Sequence, residues 1–325
     1  MRLALDARVR PRSSFARVLE LLARGAEAAD LEAVRWTGGP CEAEVLWSVK
    51  QAELALPPGG EPRQVATIYD VNPLIPDGRP AWQRWRRARR FRRRAAAAVD
   101  GAWRLATVSE DAAARLAAEF PAAAGRSSVV PLFPEPHFQP GGGPSGLAEP
   151  GYVLFLGALR QHKNPAGLLR AYARLPQTLR ERHPLLLAGR AHREGPGLLR
   201  LAARLGVDGQ LRLLDEVPEE ELPGLYRGAA AFAFPSLAEG FGLPPLEAMA
   251  CGTPVVASDR TSLPEVLGEA ALLVDPADPA ALGEALERVL TQPCTAAALR
   301  ADGLMRAAAF GPERTGRAMR ELLAS

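Results

Sequence analysis

The feature that most constrains the fold is an alternation of apolar and amphipathic segments in the second half of the chain. Six segments have a mainly apolar run: YVLFLGA, PLLLAGR, LRLLDEV, AFAFPS, PVVASD and ALLVDP. Helical patterns such as NPAGLLRAYARL, GPGLLRLAARLG and PAALGEALERVL lie among them. Apolar strands joined through helices are typical of a parallel sheet that is covered on both faces. The pattern predicts an α/β fold whose ligands bind beyond the carboxyl ends of the strands.

The first half of the chain has a similar rhythm. LALD, EAVRW, EVLWSV and QVATIYD are predicted strands, and the stretches from Ser14 to Ala29 and from Pro80 to Val99 are predicted helices. Residues 133–151, FPEPHFQPGGGPSGLAEPG, are rich in proline and glycine, which predicts a linker with few buried residues. We therefore expect Rossmann-like domains at 1–140 and 151–310, with a final helix, 311–325, that crosses back to the first domain.

Length and composition limit the class of protein. A chain of 325 residues, 47% hydrophobic and 24% charged, is typical of two globular domains and not of a disordered or fibrous protein. Three cysteines without paired spacing argue against a disulfide framework and favour a reducing compartment. The opening MRLALDARVR lacks the apolar stretch of a signal peptide, and no run approaches about eighteen apolar residues. The sequence predicts a cytoplasmic location.

The segment EGFGLPPLEAMACGTPVV, which starts at Glu239, combines two carboxylates with a glycine turn. Gly240 and Gly242 permit positive φ and let a ligand approach the backbone N–H groups closely. The two prolines that follow suit the first turn of a helix, whose N-terminus attracts anions. Glu247 is expected in that first turn, where a carboxylate complements the helix dipole. The spacing alone is equally consistent with two interpretations. In one, this segment binds an anionic ligand; in the other, Glu239 is solvated and the glycines form a tight turn that binds nothing.

The sequence around this segment closely resembles that of a family of enzymes. The run from Leu222 to Leu286 is similar to the retaining, nucleotide-sugar-dependent glycosyltransferases of family 4, including their two glutamates with seven residues between them. Upstream, YVLFLGALRQHKNPAGLLRAYARL and LLLAGR resemble the start of the donor domain, whereas TIYDVNPLIP and LATVSEDAAARL resemble the acceptor domain. The resemblance implies the GT-B fold: two Rossmann-like domains with parallel sheets that face each other across a cleft, the donor being bound mainly by the second.

The resemblance also gives roles to the matched residues. Glu247 would bind the ribose hydroxyls of the donor, and Glu239 would hold the transferred sugar. The backbone amides that assist Glu239 would be those of Phe241, Gly242 and Leu243. Lys163, with Arg160 nearby, would neutralise the departing diphosphate, because fixed cations stabilise developing negative charge. The other implied donor contacts are Gly157, Gly240 and Arg190.

No metal and no resident cofactor is implied, the nucleoside diphosphate sugar being a co-substrate. Metal-dependent glycosyltransferases of the GT-A type hold their metal through an Asp-x-Asp motif, and the nearest text here, DPAD, has the wrong spacing. The four histidines form no recognisable metal-binding pattern. They are His137, His162, His183 and His192.

Two stretches of the expected acceptor domain depart from the family pattern. RVRPRSSFARVLELL stands where many relatives have a glycine-rich loop, although Ser13 and Ser14 can still cap the helix that follows. Tyr69 stands where relatives usually have histidine, and a phenol with a pKa of about 10 is a poor base at neutral pH. Tyr69 is retained as a catalytic candidate. Asp70, Ser13 and Ser14 are candidate contacts to the sugar or the acceptor.

The run RWRRARRFRRR, from Arg84 to Arg94, predicts a basic amphipathic helix. Its apolar stripe is expected to comprise Trp82, Trp85, Ala88, Phe91 and Ala95. This helix could pack its stripe on the acceptor domain, or dock on an anionic membrane or lipid-diphosphate acceptor. One basic helix is weak support for nucleic-acid binding, so we expect no nucleic-acid partner. Docking would place the protein at the inner face of the membrane.

Two functions are consistent with these features. The first is a retaining, metal-independent hexosyltransferase of polysaccharide biosynthesis that acts on a hydroxyl of a glycan, a lipid-linked acceptor or a small molecule. Family likeness gives a mild preference for mannose from GDP-mannose. The second is a non-catalytic sugar-nucleotide-binding protein or accessory subunit, which Tyr69 and the missing glycine-rich loop would explain.

Overall fold

The computed structural model describes residues 2–10, 13–56, 61–75, 80–190 and 194–325. The chain divides into two compact units, Met1–Phe133 together with Phe310–Ser325, and Pro134–Ala309. Each unit contains a six-stranded sheet in which every neighbouring pair of strands is parallel. Among the described residues, no helix combines the length and the apolar character needed to span a bilayer.

The sheet of the first unit has the strand order β2-β1-β3-β4-β5-β6. Its strands are β1 (Arg2–Asp6), β2 (Glu32–Trp36), β3 (Val45–Ser48), β4 (Arg63–Thr67), β5 (Arg104–Thr107) and β6 (Ser127–Val129). Three helices accompany them: α1 (Ser14–Ala28), α2 (Ala81–Gly101) and α3 (Glu110–Glu119). Because β2 and β3 lie on opposite sides of β1, the strand order reverses between β1 and β3.

The sheet of the second unit has the strand order β12-β11-β10-β7-β8-β9. Its strands are β7 (Tyr152–Leu156), β8 (Leu185–Ala188), β9 (Leu211–Leu214), β10 (Ala229–Phe234), β11 (Val255–Ser258) and β12 (Leu272–Val274). The chain moves outward from β7 to β9 and then returns to the other side of β7 with β10. A topological switch point therefore lies between β7 and β10, where such sheets bind ligands.

The helices of the second unit cover this sheet. They are α4 (Pro165–Tyr172), α5 (Gln177–Arg182), α6 (Gly195–Leu205), α7 (Leu222–Gly228), α8 (Leu243–Ala250), α9 (Leu263–Leu267), α10 (Pro279–Thr291) and α11 (Pro293–Ala308). The strand residues Phe155, Leu187 and Ala233 are buried in one core with Leu168 and Leu286 from the helices. The parallel α/β fold predicted from the apolar strands is confirmed.

The last helix, α12 (Pro312–Ala324), belongs to the first unit. It packs closely on α1, because a Cβ atom added to Gly316 would lie 2.2 Å from the carbonyl oxygen of Gly25. The hydroxyl of Thr315, which is fully buried, donates to the carbonyl oxygen of Pro131 at 2.7 Å. The absence of side chains at the two glycines is what permits this helix contact.

The segment predicted to be a linker, residues 133–151, is more ordered than its composition indicates. Phe133, Phe138 and Ala148 are buried. The guanidinium group of Arg227 donates to the carbonyl oxygens of Gly143 and Gln139 at 2.9 and 3.2 Å. Only Phe133, Phe138, Ser145 and Ala148 are buried in this fully described segment, which agrees with the expectation of few buried residues.

The basic helix α2 does not bury the whole predicted stripe. Phe91 and Ala95 are buried, but the side chains of Trp82 and Trp85 are 60% and 62% exposed. A helix turns about 100° per residue, so a stripe with a three-residue spacing rotates by about 60° at each step. Trp82 and Phe91, nine positions apart, consequently lie on opposite sides of α2.

Candidate functional site

Two loops meet at the switch point of the second sheet. The loop after β7 spans residues 157–164, and the loop after β10 spans 235–242. The N–H of Leu237 donates to the carbonyl oxygen of His162 at 2.7 Å, which joins the two loops directly. The two loops lie side by side because β7 and β10 are neighbours in the sheet. That they line one ligand-binding crevice stays a prediction.

Lys163 and Glu239 form an ion pair across these loops. The Nζ of Lys163 lies 2.5 Å from Oε1 of Glu239, and the two side chains are 19% and 12% exposed. Lys163 ends a short 3-10 turn that is followed by Asn164 in the left-handed region at φ 57°. The ammonium group also lies 5.1 Å from the ring centroid of Phe234. One cation and one carboxylate are thus held in place at the rim of the sheet, and both still reach solvent.

Two residues after β11 hold the backbone around Glu239. The hydroxyl oxygen of Thr261 accepts from the N–H of Glu239 at 3.0 Å. The hydroxyl of Ser262 donates to the carbonyl oxygens of Glu239 and Phe241, at 3.2 and 3.0 Å respectively. Sequence analysis did not identify Thr261 and Ser262. Their position just beyond the carboxyl end of a predicted strand, PVVASD, was the signal that could have found them.

The glycine turn leads into α8 as expected. Gly242 has φ 103°, a left-handed value that favours glycine, and immediately precedes the first helical residue, Leu243. A Cβ atom on Gly242 would lie 2.6 Å from Cδ2 of Leu263, which is fully buried. Gly240, Phe241 and Gly242 are buried, so the turn is closely packed.

Glu247 is not in the first turn of α8, contrary to the sequence-based expectation. The helix begins at Leu243, which places Glu247 in the second turn, and its side chain is only 1% exposed. Its Oε2 accepts a hydrogen bond from the hydroxyl of Tyr226 at 2.9 Å. A buried carboxylate is costly without such a partner. Tyr226 is therefore a residue of this site that sequence analysis missed.

The other predicted donor residues lie around the same strand ends. Gly157 follows β7 with φ 150°, and its carbonyl oxygen would be 2.2 Å from a Cβ atom on Gly189, so the two strand ends approach closely. Arg160 is exposed at the start of the 3-10 turn. Arg190 is also exposed and pairs with Glu216 at 3.2 Å. Among the described residues, the structure gives neither guanidinium group a hydrogen bond or ion pair to a side chain of the two loops.

In the first unit, the hydroxyl of Tyr69 already has a partner. It donates to the carbonyl oxygen of Val49 at 2.7 Å, and the ring contacts that of Phe15 at a centroid distance of 5.8 Å. Burial raises the pKa of the Tyr69 hydroxyl above its usual range. A phenol that is neutral and already bonded does not serve as a base. This geometry leaves no base role for Tyr69, and its contact with the sugar or the acceptor stays a prediction.

The other candidates of the first unit have local structural roles. The side chain of Ser13 accepts from the N–H of Ala16 at 3.2 Å and caps α1, while Ser14 is the exposed first residue of that helix. Oδ1 of Asp70 accepts from the N–H of Asn72 at 2.9 Å. These contacts agree with the predicted cap at Ser13 and leave the acceptor roles of Ser13, Ser14 and Asp70 as predictions.

Charged residues that sequence analysis did not identify lie at the switch point of the first sheet. Asp6, the last residue of β1, is fully buried. Its carboxylate accepts from Nε of Arg8 at 2.9 Å, and Nζ of Lys50, just after β3, lies 3.9 Å away. Asp6 was overlooked because a single carboxylate at the end of a predicted strand carries no motif.

One group of described side chains has the geometry to hold a metal ion. Ligand atoms of Glu135, His137 and Glu219 lie within 4.8 Å of one another. Sequence analysis found no such group because Glu219 comes from a distant part of the chain. His137 and Glu219 are exposed, and exposed carboxylates often cluster without a metal. His192 lies outside the described residues.

Parts of the chain are similar in sequence to known glycosyltransferases. Residues 145–304 match the family described as glycosyl transferases group 1. O-antigen chain mannosyltransferase B of Escherichia coli is 51% identical over 132 residues, which are 41% of this chain and 35% of that protein. A D-inositol 3-phosphate glycosyltransferase of Frankia alni is 39% identical over 176 residues, 51% of this chain and 43% of that protein. The chain therefore spans less than half the length of these two relatives.

Solved structures resemble the chain along its whole length. Sucrose-phosphate synthase from Thermosynechococcus elongatus has a TM-score of 0.73 at 18% identity and covers 100% of this chain and 98% of that one. Anabaena HepE, solved with UDP and glucose, has a TM-score of 0.75 at 16% identity, covering 100% and 99%. At these identities the likeness establishes the fold alone, which is GT-B. The region that matches the glycosyl transferases group 1 family is just under half of this chain, and it contains Lys163, Glu239 and Glu247.

Proposed function

We propose that this protein is a retaining glycosyltransferase that moves a hexose from a nucleoside diphosphate sugar to a hydroxyl group, without a metal ion. The observation that carries the proposal is the ion pair between Lys163 and Glu239, 2.5 Å long, at the switch point between β7 and β10. A cation there can meet a diphosphate, and a carboxylate there can accept hydrogen bonds from sugar hydroxyls. Glu247, behind the glycine turn, would bind the ribose.

In the proposed reaction, a bond forms between the acceptor oxygen and the anomeric carbon while the bond from that carbon to the diphosphate oxygen breaks. The acceptor proton passes to the departing phosphate, so no protein base is needed. The Lys163 ammonium would exchange Glu239 for the diphosphate and stabilise its developing charge. Glu239 would then be released to orient the sugar. The N-terminus of α8 adds a positive dipole near the same anion.

The first unit is proposed to bind the acceptor. Arg8 and Lys50 lie beside the buried Asp6 at its own switch point, and their partly exposed side chains offer positive charge to a polar or anionic ligand. Ser13 and Asp70 remain candidate contacts at neighbouring strand and helix ends. Because the hydroxyl of Tyr69 is bonded to Val49, Tyr69 has no part in the proposed chemistry.

Mannose is the proposed sugar, supported by the mannosyltransferase names of the Escherichia coli relatives. The nucleoside base of the donor is left open in this proposal. Family likeness favours guanine, whereas HepE was solved with UDP. A glycan or lipid-linked hydroxyl is the proposed acceptor class, as the first of these relatives is named for an O-antigen chain. Contact with an anionic membrane is a separate proposal, because it depends on other residues.

The test begins with thermal unfolding in the presence of GDP, UDP, dTDP and ADP. A ligand that binds only the folded protein raises its stability by about 2.7 kcal/mol at a hundred times its dissociation constant. The sugar donor of the preferred base is then incubated with and without acceptor. Slow release of nucleoside diphosphate, faster with acceptor and insensitive to chelators, supports the proposal, as does a product with the donor's anomeric configuration. An inverted product would refute the retaining mechanism.

A non-catalytic sugar-nucleotide-binding protein is the second candidate. The observation that favours it is the bonded, neutral phenol of Tyr69 at the position where relatives usually have histidine. Such a protein would bind a nucleoside diphosphate sugar and release no diphosphate with any acceptor. Turnover with a panel of hydroxyl acceptors therefore decides between the two.

A further inference from the structure

The N-terminal half of α2 is a surface with an unusual combination of side chains. No residue from Ala81 to Arg90, a stretch that the structure describes throughout, is buried. Within it, Trp82 and Trp85 are 60% and 62% exposed. Each indole leaves a large apolar area in water, a cost that burial in a partner would remove. The surface formed by residues 81–90 together with Arg93 is called the α2 face below.

Positive charge surrounds the two indoles. At about 100° per residue, Arg86, Arg89 and Arg93 lie on the same side of the helix as Trp82, opposite the buried Phe91. The guanidinium group of Arg89 lies 5.5 Å from the ring centroid of Trp85. The sequence has no acidic residue from Pro80 to Val99. The α2 face is thus apolar at its centre and cationic around it.

Two arginines near the middle of α2 are paired with carboxylates. Arg92 pairs with Glu119 at 2.5 Å, and Arg94 pairs with Glu53 at 2.7 Å. A cavity of about 120 Å³ opens beside this part of the helix. It is lined by Gln51, Pro73, Arg87, Arg90, Phe91 and Arg94. Three guanidinium groups line this cavity, one of them already paired with Glu53, and such a cationic lining suits a single anionic group of phosphate size.

We propose that the α2 face docks on an anionic phospholipid bilayer. Trp82 and Trp85 enter the boundary between headgroups and acyl chains, where tryptophan is favoured. Arg86, Arg89 and Arg93 contact lipid phosphates, and one phosphate reaches the cavity beside Arg90. Indoles flanked by cations are typical of helices that lie in the plane of the membrane. Duplex nucleic acid is the weaker fit, because phosphate contacts supply most of its affinity and its stacked bases give the two indoles no apolar region to enter. Single strands, whose bases can stack on indoles, are distinguished by the binding test.

The proposal is tested with the full chain and with vesicles of phosphatidylcholine alone or mixed with phosphatidylglycerol. We expect co-sedimentation only with the anionic vesicles, decreasing as salt is raised because salt screens the attraction. The double variant Trp82→Ser/Trp85→Ser should lose binding about tenfold or more. The triple variant Arg86→Gln/Arg89→Gln/Arg93→Gln should lose about a hundredfold, since each basic residue near an anionic leaflet changes partitioning about fivefold.

Matched controls come from surfaces far from α2 in the sequence. Leu199→Ser/Met305→Ser removes two apolar side chains that are 50% and 67% exposed. Arg200→Gln/Arg204→Gln/Arg212→Gln removes three exposed arginines. Both controls should bind anionic vesicles as the unaltered protein does. Tryptophan emission should shift to shorter wavelength on vesicle binding, and the shift should disappear in Trp82→Phe/Trp85→Phe.

Three results would overturn the proposal. The first is equal sedimentation with neutral and anionic vesicles. The second is arginine-dependent binding to single-stranded RNA or duplex DNA without vesicle binding, which would make nucleic acid the partner. The third is a dimer in solution that the double variant Trp82→Ser/Trp85→Ser converts to a monomer, with vesicle binding unchanged. In that case a second copy of the chain, and not a membrane, would cover the α2 face. A protein without donor turnover could still bind anionic vesicles. Failure of the proposed glycosyltransferase activity is therefore distinguishable from failure of the membrane-docking proposal.

Discussion

Tyr226 and Glu247 form a hydrogen bond inside the second unit. The hydroxyl of Tyr226 donates to Oε2 of Glu247 at 2.9 Å, and the two side chains are 0% and 1% exposed. The residues come from α7 and α8, and the hydroxyl of Thr253 fixes α7 further by donating to the carbonyl oxygen of Tyr226 at 2.7 Å. The carboxylate proposed to bind ribose is therefore oriented by a phenol from a different helix.

Tyr226→Phe should weaken donor binding through this orientation. A hydrogen bond to a charged group contributes about 1.5–3 kcal/mol, so affinity for the preferred nucleoside diphosphate should fall about tenfold or more. Because Glu247 is proposed to bind the ribose hydroxyls, the preference for ribonucleotide over 2′-deoxyribonucleotide should shrink in the same variant. Isothermal titration with both ligands measures the two effects.

Tyr152→Phe is the matched control for that substitution. Tyr152 is 1% exposed in the same unit, and its hydroxyl donates to the carbonyl oxygen of Leu225 at 2.7 Å, not to a carboxylate. It should lower the stability of the protein while leaving the ribose preference unchanged. An equal loss of preference in both variants would mean that Tyr226 acts only through packing.

Gly242→Ala should destabilise the turn that precedes α8. At φ 103° a side chain is strained, and its Cβ would lie 2.6 Å from Cδ2 of the buried Leu263. Strain of this kind costs about 1–3 kcal/mol, and the shift forced on Leu263 adds to it. Urea unfolding should therefore show a loss of about 2–4 kcal/mol, accompanied by weaker nucleotide binding.

Gly206→Ala separates the backbone strain from the contact with Leu263. Gly206 has φ 67° and ends α6, and a Cβ atom there meets no heavy atom within 4 Å. Only the left-handed penalty of about 1–2 kcal/mol is expected, with nucleotide binding unchanged. If Gly206→Ala were as damaging as Gly242→Ala, the close packing at the turn would have no measurable effect.

Cys251 should make stability fall at alkaline pH. Burial raises the pKa of its thiol from 9.0 to about 12, so the folded state keeps the proton where the unfolded state releases it. The stabilisation is complete below about pH 9 and is lost as pH rises toward 12, at roughly 1.4 kcal/mol per pH unit. In Cys251→Ala the free energy of unfolding should depend less on pH in this range. Identical pH profiles for the two proteins would contradict the assignment.

The fold could be predicted from sequence because its signals are periodic and local. Apolar strands such as YVLFLGA identified the parallel sheet, and the glycines and prolines after Glu239 identified the turn and the start of α8. The placement of Lys163 beside Glu239 needed only the additional fact that β7 and β10 are neighbours. These features depend on residues within one element or one loop.

The partners of the site residues could not be predicted, because they come from distant parts of the chain. Tyr226 reaches Glu247 from another helix, and Ser262 holds the Glu239 turn from the loop after β11. The exposure of Trp82 depends on which side of α2 packs on the sheet. Apolar residues spaced three positions apart rotate around the helix, so they do not define one side. Tertiary packing decides contacts of this kind, and it leaves no local pattern.

Lys163→Ala should remove about 1.5–3 kcal/mol of interaction with the donor diphosphate, the range for a charge-assisted hydrogen bond. Nucleoside diphosphate affinity should then fall about tenfold or more, whereas affinity for the nucleoside alone should stay unchanged. Arg170→Ala, which removes an exposed cation from α4, is the control and should alter neither. Calorimetric titration with both ligands measures the difference. Unchanged diphosphate affinity and turnover in Lys163→Ala would exclude Lys163 from the reaction and remove the observation on which the proposed function depends.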